Sequence, residues 1–211
     1  MDRLGLVPNL DGVVIATTRR AEDDVIRDCG AAAGVPVYRG SADDVLARTL
    51  EAAQSVSATT IVRITADCPV IDPAVIEKVI AEFERRRPDF ASNCLHGYEY
   101  PIGIAVEVFS VAALAEAASD ATDPLEREHV TLFFERHPER FDLLGVEPPA
   151  RHRRPDLRVT LDTPEDYEVL SAIYDALYER DPNFGLDAVI AFLERHPEIA
   201  ARNRHVRQVI V

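Results

Sequence analysis

Hydrophobic positions in the first half of the chain alternate between short β-branched runs and longer stretches with helical spacing. Short apolar runs are typical of strands buried on both faces, whereas apolar residues three or four apart indicate an amphipathic helix. The pattern predicts strands at Gly12–Thr17, Val35–Tyr38 and Thr59–Thr65. It predicts three helices: one from about Ala21 to Gly30–Gly34, one through Val45, Leu46, Leu50 and Ala53 with Ser41 as its N-cap, and one from Pro73 to Arg85–Arg87.

The pattern is looser after Pro88. It predicts strands at 90–95, 104–109, 141–146 and 157–161, one or two helices between Val111 and Arg136, and mostly helix from Pro164 onward. Strands that alternate with helices are typical of βαβ units, so we predict an α/β fold with a doubly wound, mostly parallel sheet. No repeat or linker marks a second unit, so residues 1–211 are predicted to form one domain with an inserted or dimerisation subregion at about 90–150.

Composition narrows the kind of protein. The 211 residues include 37 acidic and 23 basic side chains, for a net charge of -14. That charge argues against a nucleic-acid binder that neutralises phosphates over a broad basic face. Lys78 is the only lysine. The three cysteines, Cys29, Cys68 and Cys94, are odd in number and form no C-x-x-C pair, and this pattern favours a protein of a reducing compartment. No apolar run has the length of a membrane span, and we expect a cytoplasmic protein without a membrane partner.

Two carboxylates follow predicted strands, at the edge where open α/β sheets bind ligands. Asp67 follows the third strand and precedes Pro69, and it is either a metal ligand or a turn residue that caps backbone amides. Asp162 follows the strand at 157–161, just before Thr163 and Pro164, which are typical of a helix start. Two carboxylates are what Mg²⁺ needs when a triphosphate supplies the other oxygens.

A third candidate is the turn Arg39-Gly40-Ser41 before the second helix. Gly40 would allow close approach to the backbone, and the helix N-terminus would offer amides to a ligand. A simple strand-to-helix turn is the alternative for these residues.

Six motifs in order carry a family resemblance. They are Val13-Val14-Ile15-Ala16-Thr17, Arg39-Gly40-Ser41-x-Asp43-Asp44-Val45-Leu46-x-Arg48, Arg63-Ile64-Thr65-Ala66-Asp67-Cys68-Pro69, Pro101-x-Gly103-x-x-Val106-Glu107-Val108-Phe109, Arg127-Glu128-His129-Val130-Thr131 and Asp162-Thr163-Pro164-Glu165-Asp166-Tyr167. Together they resemble the cytidylyltransferases of spore-coat polysaccharide biosynthesis, which are related to the 3-deoxy-manno-octulosonate and acylneuraminate cytidylyltransferases. The resemblance runs from about Leu10 to Asn203-Arg204-His205-Val206.

The resemblance implies a nucleotide-diphospho-sugar transferase-like (Rossmann-like) fold, a homodimer, and transfer of CMP from CTP to a sugar acid with release of pyrophosphate. It assigns catalysis and Mg²⁺ binding to Asp67 and Asp162. Glu107 is alternatively a capped strand residue, and the segment Arg127-Glu128-His129 is alternatively a solvated helix face. The implied nucleotide contacts are Arg39, Gly40, Ser41 and Arg63, and the implied sugar contacts, in the subregion at 90–150, are Gly103, Glu107, Arg127 and His129.

The chain also departs from the family pattern. It begins where the resemblance places the end of the first helix, so the family's opening strand and its Lys-bearing phosphate loop are expected to be absent, which would leave strands in mid-sheet without a partner. Ile102 and Ala105 replace a basic and an acidic residue before Glu107. Three hypotheses follow: a shortened cytidylyltransferase, a catalytically silent homologue with a structural or regulatory role, and a glycosyltransferase. The last lacks a D-x-D arrangement at Asp67.

Overall fold

A computed structural model of the protein describes residues 1–208. Its strands are β1 (Ile15–Thr18), β2 (Val37–Gly40), β3 (Thr60–Arg63), β4 (Phe90–Ser92), β5 (Glu107–Ser110) and β6 (Leu143–Gly145). Its helices are α1 (Asp24–Ala32), α2 (Val45–Ser55), α3 (Pro73–Arg86), α4 (Val111–Asp120), α5 (Pro124–Glu128), α6 (Leu132–Arg136), α7 (Pro164–Leu177), α8 (Leu186–Arg195) and α9 (Pro197–Ala200). None of these helices has both the length and the apolarity needed to cross a membrane.

The strands form two sheets, of which the smaller is parallel and the larger is mixed. β1 and β2 pair in parallel, and a second sheet has the order β3-β5-β4-β6. β5 runs antiparallel to both β3 and β4, whereas β4 and β6 are parallel. A parallel connection needs a crossover, usually a helix, and the described segment between β4 and β5 contains none, so β5 returns antiparallel. The α/β class is as predicted, but the sheet is less uniformly parallel than the sequence indicated.

Within residues 1–208 no strand of the smaller sheet pairs with a strand of the larger one. β1 pairs with β2 alone and β3 with β5 alone. Helix α2 joins the sheets, since it packs on β1 and β2 while its Leu46 lies in one buried cluster with Phe90 and Phe109 of the larger sheet.

Helices cover both faces of the larger sheet. On β5, Val108 packs into a core with residues of α3, α7 and α8, and the next residue, Phe109, packs into a second, aromatic core. β4 divides its residues in the same way, with Ala91 in the first core and Phe90 in the second. Successive side chains of a strand point to opposite faces, so this alternation is the doubly wound arrangement.

Three local predictions were wrong. The N-cap of α2 is Asp44, whose carboxylate accepts the Ala47 amide at 2.9 Å, while the Ser41 hydroxyl accepts amides of the preceding turn. Three short helices, α4 to α6, occupy the region where one or two were expected. Residues 157–161 form only an isolated bridge between Ile102 and Arg158, because the facing loop contains Pro101 and has Gly103 at a φ of +103°.

Candidate active site

Asp67 lies in the turn that follows β3. Its main-chain carbonyl accepts hydrogen bonds from the Leu161 amide at 2.9 Å and from the Thr160 hydroxyl at 3.0 Å. Across residues 1–208 no backbone amide donates to its carboxylate, whose one polar contact is the Cys68 thiol at 3.6 Å. These contacts do not support the alternative in which Asp67 caps backbone amides of the turn. The carboxylate is half-buried, and its oxygens are available to accept a ligand.

Asp162 follows Leu161, so the same two hydrogen bonds bring the two aspartates to one edge of the molecule. Helix α7 begins with a capping box, in which Thr163 and Asp166 each bond the other's backbone amide with a side-chain oxygen. Because this box already serves the helix start, the carboxylate of Asp162 is not needed as a cap. It is 42% exposed and accepts a hydrogen bond from Arg158 at 2.5 Å.

Arg158 is the cation that fixes the Asp162 carboxylate. Its buried guanidinium donates to the two oxygens of Asp166 at 2.9 and 3.0 Å, and Asn203 donates to the same carboxylate at 2.8 Å. Burial by itself would raise the pKa of Asp166, but the hydrogen bonds from Arg158 and Asn203 outweigh burial and lower that pKa below its ordinary value. Asp166 thus stays ionised and holds Arg158 against Asp162.

A second group of polar side chains lies where β3 and β5 face each other. The strand register places Arg63 opposite Glu107. Arg63 donates to Oε2 of Glu107, and the buried Thr131 hydroxyl donates to Oε1 at 2.7 Å. Both oxygens of Glu107 are therefore held. Arg63, which holds one of them, lies four residues before Asp67 in the chain. The expectation of a capped strand residue at Glu107 does not describe these contacts.

Tyr98 and Glu135 lie near Glu107, although no sequence motif pointed to either residue. Burial raises the pKa of Tyr98 to about 12, and neighbouring acidic groups, Glu107 and Asp67 among them, add to the rise. The pKa of Glu135 is raised by its partial burial and by the charge of Glu107. The nearest signal in the sequence was the motif that contains Thr131; the loop around Tyr98 has no local pattern that would have revealed it.

Two cysteines lie beside these carboxylates. Burial raises the pKa of Cys68 to about 11 and that of Cys94 to about 12. Both thiols are therefore protonated at neutral pH, and thiolate is the nucleophilic form of cysteine. Neither thiol is therefore suited to act as a nucleophile.

The turn predicted to contact the nucleotide is bonded mainly to the protein itself. Arg39 donates to the carbonyls of Thr18 and Arg20 at 2.8 and 2.7 Å and to the Asp24 carboxylate at 2.6 Å. Gly40 is required by packing, because a Cβ there would lie 2.7 Å from Cγ of Arg48. Nucleotide binding by Arg39, Gly40, Ser41 and Arg63 stays a prediction, and Arg39 would have to exchange some of these bonds for a ligand.

The residues predicted to contact the sugar do not share hydrogen-bond partners, so their contacts do not define one common pocket. Arg127 donates to the Asp44 carboxylate at 2.7 Å and to the carbonyls of Ala118 and Ala121, so it links α2, α4 and α5. Gly103 allows its loop to touch residue 160, since a Cβ would lie 2.4 Å from the Thr160 amide nitrogen. The sugar-binding roles of Gly103, Glu107, Arg127 and His129 stay predictions, of which the contacts favour Glu107 best.

The donor set fits Mg²⁺ better than a metal with an all-protein cage. No group of three or more His, Cys, Asp or Glu side chains suited to a metal occurs in the described part of the chain. Asp67 and Asp162 instead offer two carboxylates at one edge, and Mg²⁺ is usually bound by one or two carboxylates plus substrate phosphates and waters. Arg158 would compete for one oxygen of Asp162, which leaves the other oxygen for a cation.

Helices on both faces of a sheet, with the carboxylates of Asp67 and Asp162 at one edge, are typical of α/β proteins that bind a ligand beyond their strand ends. Comparison with known proteins makes this specific: the family described as Cytidylyltransferase matches residues 1–184. The chain belongs to that family, and it is a nucleotidyltransferase by family.

Individual relatives agree. The chain is 33% identical over 192 residues to the Spore coat polysaccharide biosynthesis protein SpsF of Bacillus subtilis, covering 90% of this chain and 78% of that protein. A cytidylyltransferase structure from Leptospira borgpetersenii is similar with a TM-score of 0.87 and 29% identity, covering 100% of this chain and 85% of that one. The structure of CMP:2-keto-3-deoxy-manno-octonic acid synthetase complexed with CTP shares the fold, with a TM-score of 0.57 and 13% identity over 83% of this chain and 85% of that one.

Proposed function

We propose that this chain transfers CMP from CTP to a sugar in the biosynthesis of a surface polysaccharide and releases pyrophosphate. A sugar hydroxyl oxygen forms the new bond to the α-phosphorus and gives up its proton to solvent. The bond from that phosphorus to the oxygen that bridges the α- and β-phosphates breaks, and this oxygen leaves on pyrophosphate. The observation that supports the proposal is the pair of hydrogen bonds that the Leu161 amide and the Thr160 hydroxyl donate to the Asp67 carbonyl, because they bring the chain at Asp67 next to the residues that precede Asp162.

Asp67 and Asp162 would hold Mg²⁺, which when bound neutralises charge on the triphosphate. Arg158 keeps the Asp162 carboxylate in place before the nucleotide arrives, so little reorganisation is needed at that residue. Glu107, fixed by Arg63 and Thr131, would face the sugar. We place the reaction in the cytoplasm and expect a homodimer, in which residues 90–150 supply the subunit contact.

The acceptor is a sugar in this proposal. The family resemblance implies that this sugar is a sugar acid.

A catalytically silent homologue with a structural or regulatory role is the second candidate. It is favoured by the small number of Lys and Arg side chains that are free to bind a triphosphate. The Lys78 ammonium donates to the Glu147 carbonyl, and Arg39 and Arg127 are bonded to carboxylates of the protein. A triphosphate would thus meet few uncommitted cations, on a chain whose net charge is -14.

Pyrophosphate release from CTP with Mg²⁺ and a panel of sugars tests the first candidate. We expect release that falls at least about a hundredfold in Asp67→Ala and in Asp162→Asn, as loss of a group that stabilises transition-state charge commonly does. Asp175→Asn is the matched control, because Asp175 is an exposed residue of α7 and should leave the rate unchanged. Activity that survives Asp67→Ala would refute the metal assignment.

Titration with Mg²⁺ and CTP separates the two candidates when no sugar supports turnover. The enzyme should bind the nucleotide in a manner that requires Mg²⁺ and is weakened by Asp162→Asn. A chain that binds no CTP, with or without Mg²⁺, would be the silent homologue.

A further inference from the structure

Asp162 is held at two points by one buried carboxylate. Asp166, whose side chain is fully buried, accepts a hydrogen bond from the backbone amide of Asp162 at 3.1 Å. Its two oxygens also bond the guanidinium of Arg158, and that guanidinium in turn donates to the Asp162 carboxylate. The main chain and the side chain of Asp162 therefore both depend on where Asp166 lies.

The two residues that hold Asp162 are themselves bonded by the C-terminal segment. Asn203 is 1% exposed, and its side-chain amide donates to the Asp166 carboxylate at 2.8 Å and to the main-chain carbonyl of Arg158 at 3.0 Å. Gln208 accepts a hydrogen bond from Nη1 of Arg158 at 2.6 Å. A segment far along the chain thus fixes the support of one proposed metal ligand.

The side chain of Asn203 is not needed for the local turn. That turn is closed by main-chain atoms, since the Val206 amide donates to the Asn203 carbonyl at 3.0 Å. Burying a polar amide costs free energy unless it is bonded, and both hydrogens of this amide are used on Asp166 and Arg158. Buried polar networks in which every member is bonded rigidify their surroundings, and in the described chain no buried side-chain N or O atom of these three residues lacks a partner.

We propose that Asn203 is a positioning residue for Asp162, and that the C-terminal segment thereby sets how tightly Asp162 holds a divalent cation. This inference rests on the proposed function for the role of Asp162 as a metal ligand. Asn203 acts through Asp166 and Arg158, at which its side chain is directed. It is therefore a determinant of the metal site that belongs to neither strand end.

Binding of Mn²⁺ to the full chain, followed by the electron paramagnetic resonance of the free ion, tests the proposal without turnover. Mn²⁺ is the probe because it accepts the same carboxylate and water oxygens as Mg²⁺. The relevant site is the part of the binding that Asp162→Asn removes. We expect Asn203→Ala to weaken this part about fivefold, less than the roughly 10- to 100-fold typical of a direct partner of a ligand, because Asn203 is one bond further away.

Asn93→Ala is the matched control for a general loss of stability. Asn93 is also buried, and its side chain also makes two hydrogen bonds to main-chain groups, the Ile104 carbonyl at 2.7 Å and the Val106 amide at 2.8 Å. Urea unfolding should show comparable losses for the two alanine variants. The Mn²⁺ affinity should nevertheless fall in Asn203→Ala alone.

A double-mutant cycle shows whether Asn203 acts through Asp162. Residues that work as a unit have effects that do not add. Asn203→Ala should therefore weaken Mn²⁺ binding in the wild-type chain and cause no further loss in the Asp162→Asn chain.

The Nε–H group of Arg158 provides a readout without any metal. It donates to Asp166 at 2.9 Å, and its NMR signal is assigned by its absence in Arg158→Met. We expect its exchange with water to be about fivefold faster in Asn203→Ala, the effect of losing about one hydrogen bond, and unchanged in Asn93→Ala.

Three results would overturn the proposal: a Mn²⁺ affinity of Asn203→Ala equal to that of Asn93→Ala, equal exchange at Arg158 in these two variants, or an undiminished effect of Asn203→Ala in the Asp162→Asn chain. Wild-type binding no tighter than that of Asp162→Asn would refute the metal assignment of the proposed function, and with it the effect on the cation. Faster exchange at Arg158 would in that case still show that Asn203 orders the pair of Arg158 and Asp166.

Discussion

Replacing Arg158 by methionine should destabilise the fold more than any change at an exposed ion pair. The side chain of Arg158 is 5% exposed and that of Asp166 is 0% exposed, and the two are joined by two hydrogen bonds. Methionine keeps much of the side-chain volume but removes the charge and all donors. The variant therefore leaves the carboxylate of Asp166 in the interior without its counter-ion.

The size of the effect follows from what remains around Asp166. Removing one member of a buried ion pair typically costs about 3–5 kcal/mol, because the other charge is left uncompensated. Asp166 keeps three donors, the Asn203 amide group at 2.8 Å and the backbone amides of residues 162 and 163 at 3.1 Å. We therefore expect the lower end of that range, a loss of about 3 kcal/mol in the free energy of unfolding.

Urea unfolding at pH 7, followed by far-UV circular dichroism, measures this loss. Arg151→Met is the control: Arg151 and its partner Asp187 are 67% and 66% exposed, so the expected change there is below about 1 kcal/mol. Adding Asp166→Leu to Arg158→Met should recover part of the stability, because the orphan charge is gone. A loss in Arg158→Met no larger than that of the control would refute the reasoning.

Three further predictions concern a glycine, a cysteine and the pH dependence of stability. Gly103→Ala should lower the melting temperature well beyond Gly97→Ala: both glycines have positive φ, but only a Cβ at Gly103 meets backbone atoms, and equal shifts would contradict this. Alkylation at pH 8, followed by mass spectrometry, should modify the exposed Cys29 and spare the native Cys68, whose pKa of about 11 leaves almost no thiolate. Because the folded-state pKa of Asp166 is lowered, its stabilising contribution should be complete above the unfolded value of about 3.9 and should disappear as the pH falls through the lower folded value, and acid titration of unfolding in wild type against Asp166→Asn checks this.

The elements that the sequence predicted well are those with local signals. The β-branched run that contains β3 and the Thr163-Pro164 start of α7 appear in the structure near their predicted places. The direction of β5 was not accessible in this way, because it depends on how the chain returns after β4. Residues 157–161 have a strand-like composition, yet the bend at Gly103 in the facing loop limits their pairing to one bridge.

In the candidate site, too, the residues with a local sequence signal were predicted, and the contacts that depend on the tertiary fold were not. Asp67 and Asp162 follow apolar runs, and that position was enough to select them. Arg39 and Arg127 carry the right charge for a ligand contact, but the sequence could not reveal that their donors are bonded to Asp24 and Asp44. Thr131 lies in one of the quoted motifs, but its hydrogen bond to Glu107 joins residues 24 positions apart and therefore could not be seen in the local sequence.

The pairing of β3 with β5 ties the two halves of the candidate site together. β3 ends at Arg63, which holds Glu107, and the chain continues through one turn to Asp67. A shift of β3 along β5 would therefore move the proposed metal ligand and release the proposed sugar contact at the same time. Within residues 1–208 a single ladder fixes β3, because its other edge is unpaired, so the geometry of both contacts depends on the four residue pairs from Thr60–Ser110 to Arg63–Glu107.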